Sequence, residues 1–280
     1  RAKGEKLMIN QIDKQDVLAS RSQRTRFDVL KTRSRGPIVM SNVHQPFSSH
    51  CSGKTCAVCE MRHVTFCAVM NETEIVKLGK LAHHSHSEPH QLLFQEGDPA
   101  REVFNVLEGT VKLYKSLPDG RTQITGFLFP GDFLGLSSGN DYGYSAEAID
   151  RVKVCRFQRR ELTAVFGELP KLTERWLRIS NDELSAAQDQ MLLLGRKTAR
   201  EKVLSFLLTM SERAKRRGKP GNPISLTMSR AEIADYLGLT VETVSRTLTK
   251  LREEGVLKLP RPQEVVLLDS GKFADLALGA

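Results

Sequence analysis

Residues 229–255 leave the chain little freedom. Ser229-Arg230-Ala231-Glu232 is a capping box, an N-cap hydroxyl followed three residues later by a carboxylate, and it opens a helix at that point. Ile233, Ala234 and Leu237 supply the inner face of that helix, Gly238 the tight turn, and Leu239 its plug. Thr240 caps a second helix that runs to about Glu254 and is ended by Gly255. Val241, Val244, Leu248 and Leu251 fall on one face and are expected to pack inward. Two short strands, 256–259 and 265–268, separated by Pro260-Arg261-Pro262, complete a helix-turn-helix with a small wing.

The outward face of the second helix carries Glu242, Ser245, Arg246 and Thr249. Arg can be bidentate to guanine, Glu accepts from cytosine, and Ser donates or accepts, so these types suit major-groove edges. A solvated face with a Glu–Arg pair would use the same residues; cap, turn, wing and charge together favour a DNA reader. Ser229, Arg230, Thr243, Lys250 and Arg252 are the candidate phosphate contacts. Residues 196–261 hold 15 Lys/Arg against 7 Asp/Glu, residues 1–35 hold 10 against 4, and the remainder 17 against 22. A net charge of +9 concentrated this way points to a polyanionic partner.

The five cysteines are the second constraint. Cys56, Cys59 and Cys67 form C-x2-C-x7-C, Cys51 precedes them, and Cys155 stands alone. Three thiolates on one loop and one from a distant strand are a four-ligand set for a metal or iron–sulfur centre. The same spacing admits a structural zinc knot, with His63 as a substitute ligand, or a metal-free thiol sensor. No apolar run approaches the length of a membrane span and the opening residues are too polar for a signal peptide. The expectation is a cytoplasmic protein with no membrane partner, where thiols stay reduced.

The first 49 residues lack an apolar period and are read as a basic, disordered tail without an assigned role. The chain opens on Arg1, so an initiator is expected elsewhere, with Met40 a candidate start. Residues 50–70 form the cysteine-rich loop. From 71 to about 167 the pattern is β: Val103–Leu107, Val111–Tyr114, Ile124–Phe127 and Val152–Phe157, broken by Glu108-Gly109, Pro118-Asp119-Gly120 and Pro130-Gly131-Asp132. His83, His84, His86 and His90, interrupted by Ser and Pro, read as a solvated loop rather than a metal site. The β region offers no paired carboxylates and no nucleophile–base set, which argues against an enzyme.

A helix follows over 168–195. Leu177, Ser180, Leu184, Ala187, Met191 and Leu194 recur at the spacing of a coiled-coil seam, predicting a homodimer. Residues 196–280 make up the winged helix-turn-helix domain. The fold class is therefore α+β: an N-terminal antiparallel β-roll, a long dimerisation helix and a winged reader.

With these residues laid out, the chain resembles the FNR oxygen-responsive regulators of the cyclic-AMP receptor protein superfamily. The segments that carry the resemblance are Gln123-Ile124-Thr125-Gly126-Phe127 leading to Pro130-Gly131-Asp132, Val154-Cys155, Met191-Leu192-Leu193-Leu194, and Tyr236 through Arg246. The resemblance implies a β-roll like a cyclic-nucleotide-binding domain, and Cys56, Cys59, Cys67 and Cys155 as ligands of a [4Fe–4S] cluster. The x7 spacing is similar to that of an α-proteobacterial subgroup, and Cys51 has no ligand counterpart. It also implies Glu242, Ser245 and Arg246 as base readers of a TTGAT-N4-ATCAA-type palindrome, with activation through RNA polymerase touched at the hairpin tip by Asp119 and Gly120. Where the superfamily's nucleotide sensors present an acidic residue and an Arg-Ser pair, this chain has Gly135-Leu136 and Tyr144-Ser145, so no cyclic nucleotide is expected. Ala187 stands where some family members place a carboxylate, which raises the question of whether the chain dimerises without a cluster.

Overall fold

The computed structural model describes residues 56–137, 139–268 and 273. The tail and Cys51 lie outside them.

Two four-stranded sheets make the roll. One is ordered β1-β8-β3-β6, from Ala82–Ser87 (β1), Val152–Gln158 (β8), Glu102–Glu108 (β3) and Phe133–Leu134 (β6). The other is ordered β2-β7-β4-β5, from Leu92–Phe94 (β2), Ser145–Ala148 (β7), Val111–Ser116 (β4) and Thr122–Leu128 (β5). Every pairing is antiparallel. Val106, Val152 and Val154 are buried between the sheets, while Val103, Cys155 and Phe157 are buried on the opposite face with Phe66, Ile75 and Leu172, so β8 is covered on both faces.

Three local expectations are corrected. The region after residue 71 opens with a helix, Glu72–Gly79 (α1), not a strand. Asn71 accepts the Glu74 N–H at 2.9 Å while its own N–H donates to the Glu74 carboxylate at 2.8 Å, and Ile75 and Leu78 turn inward. The roll likewise ends in a helix, Arg159–Phe166 (α2), rather than continuing as β to the domain boundary. His83, His84 and His86 lie on strand β1, with Ala82, His83, His84, Ser85 and His86 in register with Phe157, Arg156, Cys155, Val154 and Lys153, while His90 follows in an exposed turn as expected. The polar composition of β1 hid it, because it is an edge strand borrowing its hydrogen bonds from β8.

Pro170–Arg196 forms one 27-residue helix (α3), with Pro170 in its first turn. Ala199–Arg216 (α4), Arg230–Leu237 (α5) and Val241–Glu253 (α6) follow. Gly238 ends α5 at φ 59°, and the Leu239 N–H reaches back to the Ala234 carbonyl at 2.9 Å, a left-handed cap that an L side chain resists. The wing is a three-stranded sheet of Ile224–Ser225 (β9), Leu257–Arg261 (β10) and Glu264–Leu267 (β11), ordered β10-β11-β9. Strand β10 runs on through Pro260 and Arg261, so the turn lies at Pro262-Gln263, one step later than the proline pair suggests.

The two halves share a core. Ile124, Phe127 and Phe129 of the roll are buried with Leu204, Phe206, Leu207 and Leu237 of the C-terminal half. A bulge at Thr125 of β5, opposite Leu113 and Tyr114, lets Ile124 and Phe127, three residues apart, face the same way. Polar contacts flank this joint. The Gln123 amide donates to the Asp235 carbonyl at 2.5 Å, Ile124 N–H to the Asp235 carboxylate at 3.1 Å, and Lys112 bridges Glu147 at 2.9 Å and Glu232 at 3.3 Å.

Candidate functional site

The structure brings Cys56, Cys59, Cys67 and Cys155 to the wall of one pocket, together with Arg62, Thr65, His84, Asn105 and Leu107. Cys56 and Cys59 sit on a tight turn (Cys59 N–H to Cys56 C=O, 3.4 Å), Cys67 on a short 3₁₀ helix over Phe66–Val69, and Cys155 is buried in β8. Arg62 pins the loop, donating to the Glu72 carboxylate at 2.8 Å and to the Met70 carbonyl at 2.7 Å. Burial pushes the Cys67 thiol up to about 12; a bond from Thr65 and the Arg62 charge oppose this, while Cys56 and Cys59 add to it. Deprotonation there awaits a cationic partner.

The donor set is all sulfur, which suits an iron–sulfur centre or zinc. Among the described residues no group of three or more His, Cys, Asp or Glu is placed to hold a single metal ion. His63 is exposed and lies off the pocket wall. Two neighbours of Cys155 were not singled out as pocket residues in the sequence: His84 and Asn105 flank it in register on strands β1 and β3. Asn105 is 1% exposed, and its Oδ1 has no hydrogen-bond partner.

The loop is wired outward in two directions. Phe66, next to Cys67, meets Phe133 edge-on at 5.2 Å, and Phe133 meets Trp176 of α3 at 5.0 Å. Val64 packs against Gly131, whose φ of 99° and bare Cα permit the approach; a Cβ there would stand 3.1 Å from Val64.

On α3, Leu177, Leu184 and Met191 are 59%, 59% and 65% exposed, and Ala187 is also exposed, so this face has no partner among the described residues. Leu194 is different, being half-buried against the C-terminal core.

In the reader, Glu242, Ser245 and Arg246 are exposed on α6, with Val244, Leu248 and Leu251 buried beneath. Val241, expected inside, is 40% exposed because it opens the helix beyond the edge of the core. The backbone N–H of Glu242 itself, then the Thr240 hydroxyl and Arg246, hold its carboxyl below the usual range, so it stands ionised as an acceptor. Lys250 and Arg252 are exposed. Ser229 is engaged with Glu232 as a cap, Arg230 donates to the Pro262 carbonyl at 2.8 Å, and the Thr243 hydroxyl lies 3.0 Å from that of Thr240. These three already shape the domain. At the β4–β5 hairpin tip Asp119 is exposed, its carboxylate accepting from Arg121, and Gly120 takes φ 89°.

At the Gly135 and Tyr144-Ser145 corner of the roll, side-chain hydroxyls bond to the backbone. The Tyr144 hydroxyl accepts the Gly135 N–H at 3.1 Å, the Ser145 hydroxyl accepts the Glu96 N–H at 2.9 Å, and Phe94 stacks on Tyr142 at 3.8 Å.

Residues 85–168 match the cyclic nucleotide-binding domain family, and residues 226–257 match the crp family of bacterial regulatory proteins. The transcriptional activatory protein AadR of Rhodopseudomonas palustris is 42% identical over 228 residues, covering 81% of this chain and 95% of that protein. The transcriptional activator FnrL of Cereibacter sphaeroides is 34% identical over 79% of this chain and 91% of its own length. The solved structure of FixK2 from Bradyrhizobium japonicum superposes with a TM-score of 0.66 at 38% identity, covering 70% of this chain and 96% of that one.

Proposed function

The chain belongs to the Crp/FNR family of bacterial transcription regulators, DNA-binding proteins and not enzymes, and from that premise we propose that it is an oxygen-responsive member holding a [4Fe–4S] cluster. The observation that carries the reading is the convergence of Cys56, Cys59, Cys67 and Cys155 on one pocket beside an aromatic link to α3. An all-sulfur donor set is the one iron–sulfur centres take. Bound there, the cluster supplies an oxygen-labile cross-link between loop and strand.

The chain's own residues do the rest. A tied loop presses Phe66 on Phe133 and Phe133 on Trp176, one residue before Leu177, and so orients the seam of Leu177, Leu184, Ala187, Met191 and, at its lower end, Leu194 for a second copy. Pairing sets two α6 helices about one DNA turn apart. Glu242, Ser245 and Arg246 then read a TTGAT-N4-ATCAA-type palindrome while Lys250 and Arg252, with the caps of Ser229, Arg230 and Thr243, lie along phosphates. The Asp119-Gly120 tip offers a contact for RNA polymerase, which makes the protein chiefly an activator, and at some promoters a repressor, of anaerobic or microaerobic genes. The Tyr144 and Phe94 packing, with tyrosine rather than arginine before Ser145 in the sequence, supports a roll that does not take cyclic nucleotide.

Anaerobic reconstitution with iron and sulfide tests this. The expected product is brown, loses its visible absorption in air, and loses operator affinity by about tenfold or more with it, about 1.4 kcal/mol. Cys56→Ser, Cys59→Ser, Cys67→Ser and Cys155→Ser should each prevent loading, and Cys51→Ser should not. Tightly bound zinc without a visible band, or operator affinity unchanged by air, would overturn the reading.

A further inference from the structure

Asn105 is an oddity of the cysteine pocket. It is almost wholly buried, yet its Oδ1 has no hydrogen-bond partner. A buried amide left this way costs about 1–3 kcal/mol. The same face of β3 otherwise holds buried apolar side chains, Val103 and Leu107, which pack in one cluster with Cys155. Asn105 stands directly across from Cys155 in the β3–β8 register, which places the two Cβ atoms about 4.5–5.5 Å apart on one sheet face. It shares the pocket wall with all four thiols.

The chemistry of the pocket supplies the missing partner. Turning the amide about its last bond exchanges Oδ1 for the two N–H donors of Nδ2. Thiols offer a buried carbonyl oxygen only weak S–H donors, whereas thiolates and sulfides are anionic acceptors for N–H. Hydrogen bonds to the sulfurs are among the factors that set an iron–sulfur reduction potential. We propose that Asn105 is a positioning residue that donates an N–H to sulfur at Cys155 when the pocket is loaded, favouring the more reduced cluster and slowing its loss in air. This rests on the iron–sulfur reading above and adds to it a residue that is not a ligand.

Asn105→Leu removes the amide with little change in volume, and Asn105→Asp keeps the shape while removing both donors and adding negative charge. Two readouts separate a structural from a sulfur-directed role. The first is the melting temperature of the cluster-free chain, where Asn105→Leu should be equal to or above wild type because an unpaired polar group is gone. The second is the loaded protein under argon and then air. There Asn105→Leu should show a more negative midpoint potential and bleach at least threefold faster, and Asn105→Asp should load least iron. Wild-type midpoint and bleaching rate in either variant would overturn the proposal alone. A wild-type chain that takes up no iron and sulfide would overturn it together with the iron–sulfur reading.

Discussion

Glu183 shows how much one side chain's surroundings decide. It sits on α3 beside a cavity shared with Trp176, Ser180 and Arg159. Burial, and then the nearby Asp132 charge, raise its carboxyl from 4.5 to about 7, and Tyr144 faces it from the roll. The unfolded carboxyl releases its proton near 4.5 while the folded one keeps it to about 7, so over that window the folded state binds more protons. The contribution is fully present below about 4.5 and is lost as pH rises through about 7. Glu183→Gln should therefore melt higher than the parent at pH 8, with the gap closing towards pH 5; parallel melting curves across that range would refute this. Such positions are illegible in a sequence, because Glu183 lies on the polar flank of a heptad. Asn105 is equally hidden, since its partner across the sheet is fifty residues away in the chain.

At the scale of elements, what could be read was what local chemistry determines. The caps at Ser229 and Thr240 and the left-handed turn at Gly238 are decided within a few residues, and α5 and α6 begin and end where those signals stand. Helix α1 has an Asn71–Glu74 box that is as local, but the β pattern that follows it in the sequence masks it. Strand β1 is illegible for a deeper reason: Ala-His-His-Ser-His-Ser has no apolar alternation and is a strand only because β8 pairs with it. The α3 seam belongs to this scale too. Leu177, Leu184 and Met191 leave an apolar stripe in water, which a second copy would cover. Leu184→Glu should leave the far-ultraviolet spectrum of the chain unchanged and shift it to a monomer in sedimentation, with operator affinity down at least tenfold. A dimer of normal affinity in that variant would place the interface elsewhere.

Across the whole molecule, two paths leave the cysteine loop. One, through Phe66, Phe133 and Trp176, ends at the seam. The other passes from Val64 to Gly131 and Asp132. Asp132 accepts the Phe129 N–H at 2.8 Å and pairs with Arg213 of α4, whose guanidinium also donates to the Phe127 carbonyl at 2.6 Å and lies over the Phe129 ring. The Pro-Gly-Asp turn that marked the family in the sequence is thus a joint between loop and reader, a role no single segment reveals. Asp132→Asn keeps the acceptor for Phe129 and removes the charge facing Arg213. The pair is partly exposed, so its loss is worth about 1 kcal/mol or less, about a fivefold change in affinity at most. If the second path orients the reader, Asp132→Asn should load iron and dimerise as wild type does. Its operator affinity per dimer should nevertheless fall two- to fivefold, with the difference between loaded and air-treated protein reduced in step. A fall in dimerisation instead would assign Asp132 to the seam path, and unchanged DNA binding would leave α3 as the sole route from loop to reader.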